Sequence, residues 1–209
     1  MGYFDAVTSH SFKTAPDGRK VFFPYGARRR GYAIASERDY RRLHQQLKYQ
    51  LVSVLLFGWL AALVIINGSA SLPVGLYLVT QHPNGNLVAF CPPEPFAQLA
   101  IERGYRDGGN CPDGGAPLLK PVVARAGDLV ELSPEGIAVN GRRLPNTAPL
   151  KNDTKGRPLT PWPTGRYTVG SDSLWVASPY NGRSFDSRYF GPVPLGSIRN
   201  YVRPWITLP

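Results

Sequence analysis

Eighteen consecutive residues, Tyr49 to Ile66, carry no charge, and this run constrains the architecture more than any other feature of the chain. As one helix, at about 1.5 Å per residue, it would span about 27 Å, close to the ~30 Å hydrocarbon core of a bilayer. Arg38, Arg41, Arg42 and Lys48 stand immediately before it, so the positive-inside rule places the N-terminus in the cytoplasm. The expected layout is a cytoplasmic basic segment over 1–48, a single transmembrane helix over 49–66 and an extracytoplasmic domain over 67–209. Two other readings compete. A cleaved signal peptide has an apolar core of about 7 to 15 residues behind a short leader. Here the leader is 48 residues long, although Ser69-Ala-Ser71 does resemble a small-residue cleavage site. A buried helix of a soluble protein is the other reading.

Charge distribution supports the membrane layout. The chain has a net charge of +10, yet residues 1–48 hold ten Lys/Arg against four Asp/Glu, whereas residues 67–209 hold fourteen against ten. A basic excess confined to the segment before an apolar run, Arg28-Arg-Arg30 included, suits a topology determinant or lipid-headgroup contact better than a nucleic-acid surface. The partners expected are therefore a lipid bilayer and no nucleic acid. Within this segment Phe12 to Phe23 reads as a hairpin around Pro16-Asp-Gly18, and Gly31 to Ala35 as a short strand. Ser36 fits a helix N-cap with Asp39 three residues on, so a helix starting near Glu37 runs unbroken into the apolar run.

Beyond Ile66 the pattern changes to period-two alternation and tight turns. Strands are predicted over 76–80, 87–90, 118–124, 129–132, 137–139, 142–144, 167–170, 174–177 and 198–205, with Asn140-Gly141 as a two-residue hairpin turn. Only Pro95 to Tyr105 reads as helical, so the predicted fold class is mainly β and antiparallel, after a single N-terminal transmembrane helix. Cys91 and Cys111 are the only cysteines. Outside the cytoplasm they are expected to form a disulfide worth on the order of 3 kcal/mol. No metal or other cofactor is expected, because two cysteines are half a ligand set and His82 is the one histidine placed on their side.

The same shortage limits the catalytic options. A Ser-His-Asp triad would have to use His82, whose neighbours Gln81 and Pro83 give no sign of an orienting group. A lysine can act as general base once burial lowers its pKa towards neutrality. Lys120 is the one charge in Leu118-Leu-Lys120-Pro-Val-Val123. Local sequence alone fits a surface lysine on an edge strand better.

Three segments read together change that balance. Ser71-Leu-Pro73 after the apolar run, Lys120-Pro-Val-Val-Ala-Arg-Ala-Gly127-Asp128, and Ser184-Phe-Asp186-Ser-Arg188-Tyr-Phe-Gly191-Pro-Val resemble, in order and spacing, the sequence boxes of type I signal peptidases over residues 67–206. Asn67 to Tyr77, the Cys91 to Cys111 insert ending Asn-Cys111-Pro-Asp-Gly, and Pro117-Leu-Leu-Lys120 are most similar to the TraF-type peptidases of conjugative plasmid transfer. The resemblance implies a signal-peptidase-like β domain with Ser71 as nucleophile and Lys120 as general base. It further implies Ser69 as an oxyanion donor beside the Ser71 backbone N–H, Ser184 as the hydroxyl orienting the lysine, and Asp186 with Arg188 as a structural ion pair. The chain departs from bacterial leader peptidases at Pro121, where a basic residue is usual, and at Ser178-Pro-Tyr-Asn-Gly182, which replaces Gly-Asp-Asn.

The expected function is a membrane-anchored serine endopeptidase acting on an exported, membrane-inserted precursor, a pilin or other component of a conjugative apparatus, with cyclisation of the product an open option. A general signal peptidase and a non-catalytic assembly protein are the alternatives. Ser71 lies five positions after Ile66, which keeps the nucleophile within about 18 Å of the apolar boundary. The Pro158 to Pro163 loop with Trp162 is expected to touch the membrane interface.

Overall fold

The computed structural model describes residues 3–25, 28–82 and 85–208, so Pro83, the neighbour of His82, lies outside the described residues. Two compact units divide the chain, Met1–Ala62 and Leu63–Pro209. The first begins with α1 (Tyr3–Ser9), followed by the strands β1 (Phe12–Thr14), β2 (Lys20–Phe22) and β3 (Tyr32–Ala33) and the helix α2 (Glu37–Ala62). The three strands form one antiparallel sheet, and Gly18, at φ +82°, allows the turn after Pro16-Asp. The Ser36 hydroxyl accepts the Asp39 N–H at 3.1 Å, capping α2 as its sequence predicts. Phe12 stacks edge-on against Tyr40 at 4.9 Å, so hairpin and helix share a small aromatic core.

The transmembrane helix expected over 49–66 is not what forms. The helix ends at Ala62, and the last apolar residues become strand β4 (Val64–Asn67), paired with β5 (Gly75–Thr80). β-Branched Val64, Ile65 and Ile66 favour the pleated surface, and hydrogen bonding to β5 holds them there. Only 14 residues of the uncharged run, Tyr49 to Ala62, stay helical, a length of about 21 Å. Among the described residues, no helix is long and apolar enough to cross a membrane. Even so, the C-terminal half of α2 leaves Val54, Phe57 and Trp59 at least 64% exposed.

Strand pairing in the second unit is antiparallel. After β4 and β5 come β6 (Leu87–Phe90), α3 (Phe96–Glu102), β7 (Leu118–Ala124), β8 (Leu129–Ser133), β9 (Gly136–Val139), β10 (Arg142–Arg143), β11 (Gly165–Thr168), β12 (Ser173–Val176), α4 (Ser187–Phe190), β13 (Val193–Pro194) and β14 (Ile198–Thr207). One seven-stranded sheet runs β13-β12-β7-β6-β14-β5-β4, and a four-stranded sheet runs β10-β9-β8-β11. The Asn140-Gly141 turn has φ of 48° and 80°, the double positive φ of a type I′ hairpin.

Period two decides where each side chain goes. Val88 and Phe90 of β6 enter a cluster with Leu174, Val176, Phe185 and Phe190, while Ala89 between them enters a second cluster with Leu72, Tyr77 and Val202. Both faces of the large sheet are therefore covered. Trp175 of β12 points the other way from its neighbours, into a third cluster with Val130 and Ile137 from the small sheet. Trp162 packs inward as well: its ring lies where a Cβ on Gly191 would stand, 2.5 Å away, and its Nε1 is buried. The expected membrane contact by Trp162 is thus corrected, because its indole is committed to protein packing.

Cys91 and Cys111 form the expected disulfide, closing an excursion of 20 residues that contains α3. A Cys91→Ser/Cys111→Ser variant should lose about 3 kcal/mol of stability, read by denaturant unfolding. A change below about 1 kcal/mol would mean that the excursion is held by its other contacts alone.

Candidate active site

Ser71 lies in the seven-residue connection between β4 and β5, where no ladder holds the backbone. Asn67 takes over that task. Its Nδ2 donates to the carbonyls of Ser69, Leu72 and Pro73 at 3.0, 3.2 and 3.1 Å, and its Oδ1 accepts the Ser69 N–H at 3.2 Å. One buried side chain thereby folds the whole turn around itself. Leu72 anchors the turn from the other side by entering the cluster around Tyr77.

Lys120 sits on β7, an interior strand bonded to both β6 and β12, so the edge-strand reading does not hold. It shares its face with Leu118 and Val122, which pack on the main cluster, and is only 4% exposed. Its Nζ donates to the Ser71 hydroxyl in a very short contact and to Ser184 Oγ at 2.9 Å. Ser71 Oγ and Ser184 Oγ are themselves 3.3 Å apart. Three polar groups thus meet from segments 49, 64 and 113 residues apart in the chain. Burial pushes the Lys120 ammonium down to about 8; Asp186 opposes the shift and Arg188 adds to it. An amine in that range is substantially neutral near pH 8 and can take a proton.

Asp186 and Arg188 are both fully buried. Arg188 Nε and Nη2 hold the two Asp186 oxygens at 2.8 and 3.0 Å, a bidentate pair. The remaining guanidinium protons go to the carbonyls of Asn146, Gly182 and Ser178 at 3.0, 2.9 and 3.2 Å. All five donors are used, which is what makes so deep a charge tolerable. Asp186 also caps the short helix α4 by accepting the Arg188 N–H at 3.3 Å.

Ser69 is the expected site residue that stands apart from this cluster. It is exposed, and its hydroxyl donates to Asn67 Oδ1 at 2.9 Å. His82 is exposed in the connection after β5 and does not line the cleft. Two polar residues escaped the sequence reading: Asn67 and Ser178, whose Oγ donates to the Ser71 carbonyl at 2.6 Å. Both act on backbone carbonyls and so leave no periodic signal; their one clue is that each falls inside a segment already singled out.

A cleft of about 770 Å³ opens over Ser71 and Lys120. Ile66 to Ser69 form one wall, Ala116 to Leu119 lie beside the lysine, and the disulfide excursion contributes Tyr105 and Asp107. The excursion is tied to the 150–159 loop, since Tyr105 donates its hydroxyl to Asp153 at 2.6 Å and Arg157 Nη2 donates to the Arg103 carbonyl at 2.9 Å. Ala89 and Leu119 add apolar surface to the lining of the cleft, and Arg106, Asp153 and Arg183 add charge.

The family model for signal peptidase, peptidase S26, matches residues 32–206. Plasmid transfer protein TraF of Escherichia coli is 40% identical over 157 residues, covering 74% of this chain and 88% of that protein. Conjugal transfer protein TraF of Agrobacterium fabrum (strain C58) is 35% identical over 147 residues, covering 68% of this chain and 81% of its own length. A crystal structure of a signal peptidase I from Enterococcus faecalis V583 overlaps 58% of this chain and 97% of its own, at 21% identity and a TM-score of 0.33. The chain belongs to the signal peptidase S26 family, with the TraF proteins of plasmid transfer among its relatives.

Proposed function

We propose that the chain is a serine endopeptidase in which Ser71 is the nucleophile and Lys120 the general base. The observation that carries this reading is the buried Lys120 amine in contact with both the Ser71 and Ser184 hydroxyls. Neutral Lys120 Nζ takes the proton from Ser71 Oγ as it attacks the scissile carbonyl, then gives it to the departing amine. Water, activated by the same amine, cleaves the resulting acyl ester. Ser184 holds the lysine in line. The developing oxyanion is met by the Ser71 backbone N–H and by the Ser69 hydroxyl once it turns away from Asn67 Oδ1; each such donor is worth about 3 kcal/mol.

The substrate in this reading is an exported precursor cut beside the membrane, a pilin or another component of a conjugative apparatus. Kinship with plasmid-transfer proteins supports that choice over a general leader peptidase. If the N-terminal amine of the cut chain replaces water, the same ester yields a cyclic product. Membrane contact has support within the second unit. Ile66 and Ile206 flank Leu76 in register, and together with Trp205 and Leu208 they leave an apolar rim, each at least 55% exposed, at the end of the sheet that adjoins the cleft. In the first unit the exposed apolar side chains of α2 suit a lipid surface equally. Trp205→Ser/Ile206→Ser should weaken liposome partitioning about tenfold; unchanged flotation of the variant would remove the rim from the account.

The test is cleavage of a pilin precursor in proteoliposomes, followed by mass spectrometry of both product ends. Wild type should cut at one bond, and Ser71→Ala should be at least about 10³-fold slower. Cleavage that survives Ser71→Ala would sink the nucleophile. A folded wild type that cuts neither a pilin precursor nor a signal-peptide-bearing one would favour a non-catalytic assembly protein.

A further inference from the structure

We propose that Ser178 is a positioning residue that holds the backbone of the nucleophile and joins it to the buried Asp186–Arg188 pair; this rests on the Ser71/Lys120 reading above. Ser178 follows β12 and is fully buried. Every polar atom it owns is used. Its N–H donates to Asp186 Oδ2 at 3.0 Å, and its carbonyl accepts Arg188 Nη2 at 3.2 Å. Its hydroxyl accepts the N–H groups of Tyr180 and Asn181 at 3.2 and 3.3 Å and donates to the Ser71 carbonyl at 2.6 Å.

A hydroxyl has one proton and two lone pairs. With both lone pairs taken by Tyr180 and Asn181, the proton has one direction left, towards Ser71. Fixing that carbonyl fixes the Ser71–Leu72 peptide plane in a connection that no strand ladder holds. The hydroxyl also organises the base-orienting group. Asn181, whose N–H it accepts, receives the Ser184 N–H on its own carbonyl at 3.1 Å. One buried oxygen therefore sits between the peptide that carries the nucleophile and the turn that carries Ser184, and the ion pair holds that oxygen's residue from both sides. Ser178 touches neither reacting atom; it acts through Ser71 and Ser184. It also opens the segment Ser178 to Gly182, where the sequence departs from bacterial leader peptidases, so this tie is a property of this chain's own residues.

The experiment is steady-state cleavage of a peptide spanning the precursor's cut site by full-length wild type and Ser178→Ala, each normalised to folded protein. A misplaced nucleophile lowers turnover without touching substrate binding, so kcat should fall about 10- to 100-fold while KM stays within about threefold. An unchanged kcat per folded molecule overturns the proposal, and so does a loss expressed in KM alone. Should Ser178→Ala fail to fold, Ser178→Cys decides in its place: it keeps the volume with a weaker donor, and a wild-type kcat in that variant overturns the proposal. An inactive wild type is a different outcome, since it removes the dyad reading itself. An active wild type matched by Ser178→Ala removes this inference alone.

Discussion

Lys120→Met should abolish cleavage and, at neutral pH, make the folded domain more stable. Loss of the general base lowers kcat by about 10³-fold or more, because no other group in contact with Ser71 Oγ can take its proton. Stability moves the opposite way because Lys120 is buried and its pKa falls from 10.5 to about 8. The folded state thus binds this proton more weakly than the unfolded chain does. Below pH 8 the full penalty of burying the ammonium is present; between pH 8 and 10.5 it is relieved, so this group's contribution to stability rises with pH in that window. A shift of this size corresponds to about 3 kcal/mol as an upper figure. The orphaned Ser71 and Ser184 hydroxyls offset part of it, leaving a gain of about 1 to 3 kcal/mol at pH 7. Denaturant unfolding at pH 7 and pH 10 checks both sign and window. A lysine that served structure alone would lose activity and stability together.

Arg188→Met should have the largest effect on stability. It strands a fully buried carboxylate and removes the donors to three carbonyls, and breaking such a pair costs about 3 to 5 kcal/mol. That is a large part of what a domain of this size has in hand, about 5 to 15 kcal/mol. Removing both charges in Asp186→Leu/Arg188→Met recovers the carboxylate's share, because a buried pair contributes little over an apolar replacement. The carbonyls of Asn146, Gly182 and Ser178 stay unpaired, so recovery is partial. Thermal unfolding of the single and double variants reads this directly; a single variant within about 1 kcal/mol of wild type would show that the pair is not the framework of the site.

The strands of the second unit were legible because alternation and turn chemistry act locally. β6 and β7 fall on the predicted residues, and Asn140-Gly141 makes the predicted turn. Residues 64–67 were not legible, since an unbroken apolar run fits a membrane helix and a buried strand alike, and only the partner strand β5 decides between them. Trp162 misled for a related reason. A Pro-rich context signals a surface loop, but the space over Gly191 that draws the ring inward belongs to a segment some 30 residues away. At the site, the residues that could be named were those fixed by ordered boxes: Ser71, Lys120, Ser184, Asp186 and Arg188. Asn67 and Ser178 could not be named. The bonds by which they hold the nucleophile's turn go to backbone carbonyls, which carry no residue identity and so write nothing into the sequence. The Ser69 hydroxyl illustrates the reverse case: its position was marked by the resemblance, yet its present partner, Asn67, follows from the fold of the turn.

The most direct test of the central claim is the pH dependence of kcat/KM for wild type on a peptide substrate, followed from pH 6 to 10. If Lys120 must be neutral to accept the Ser71 proton, the rate should climb tenfold per pH unit at the acid end and level off through an apparent pKa near 8, where burial sets the amine. A profile already flat from pH 6 upwards would contradict the account, because the base would then be a group other than the buried lysine.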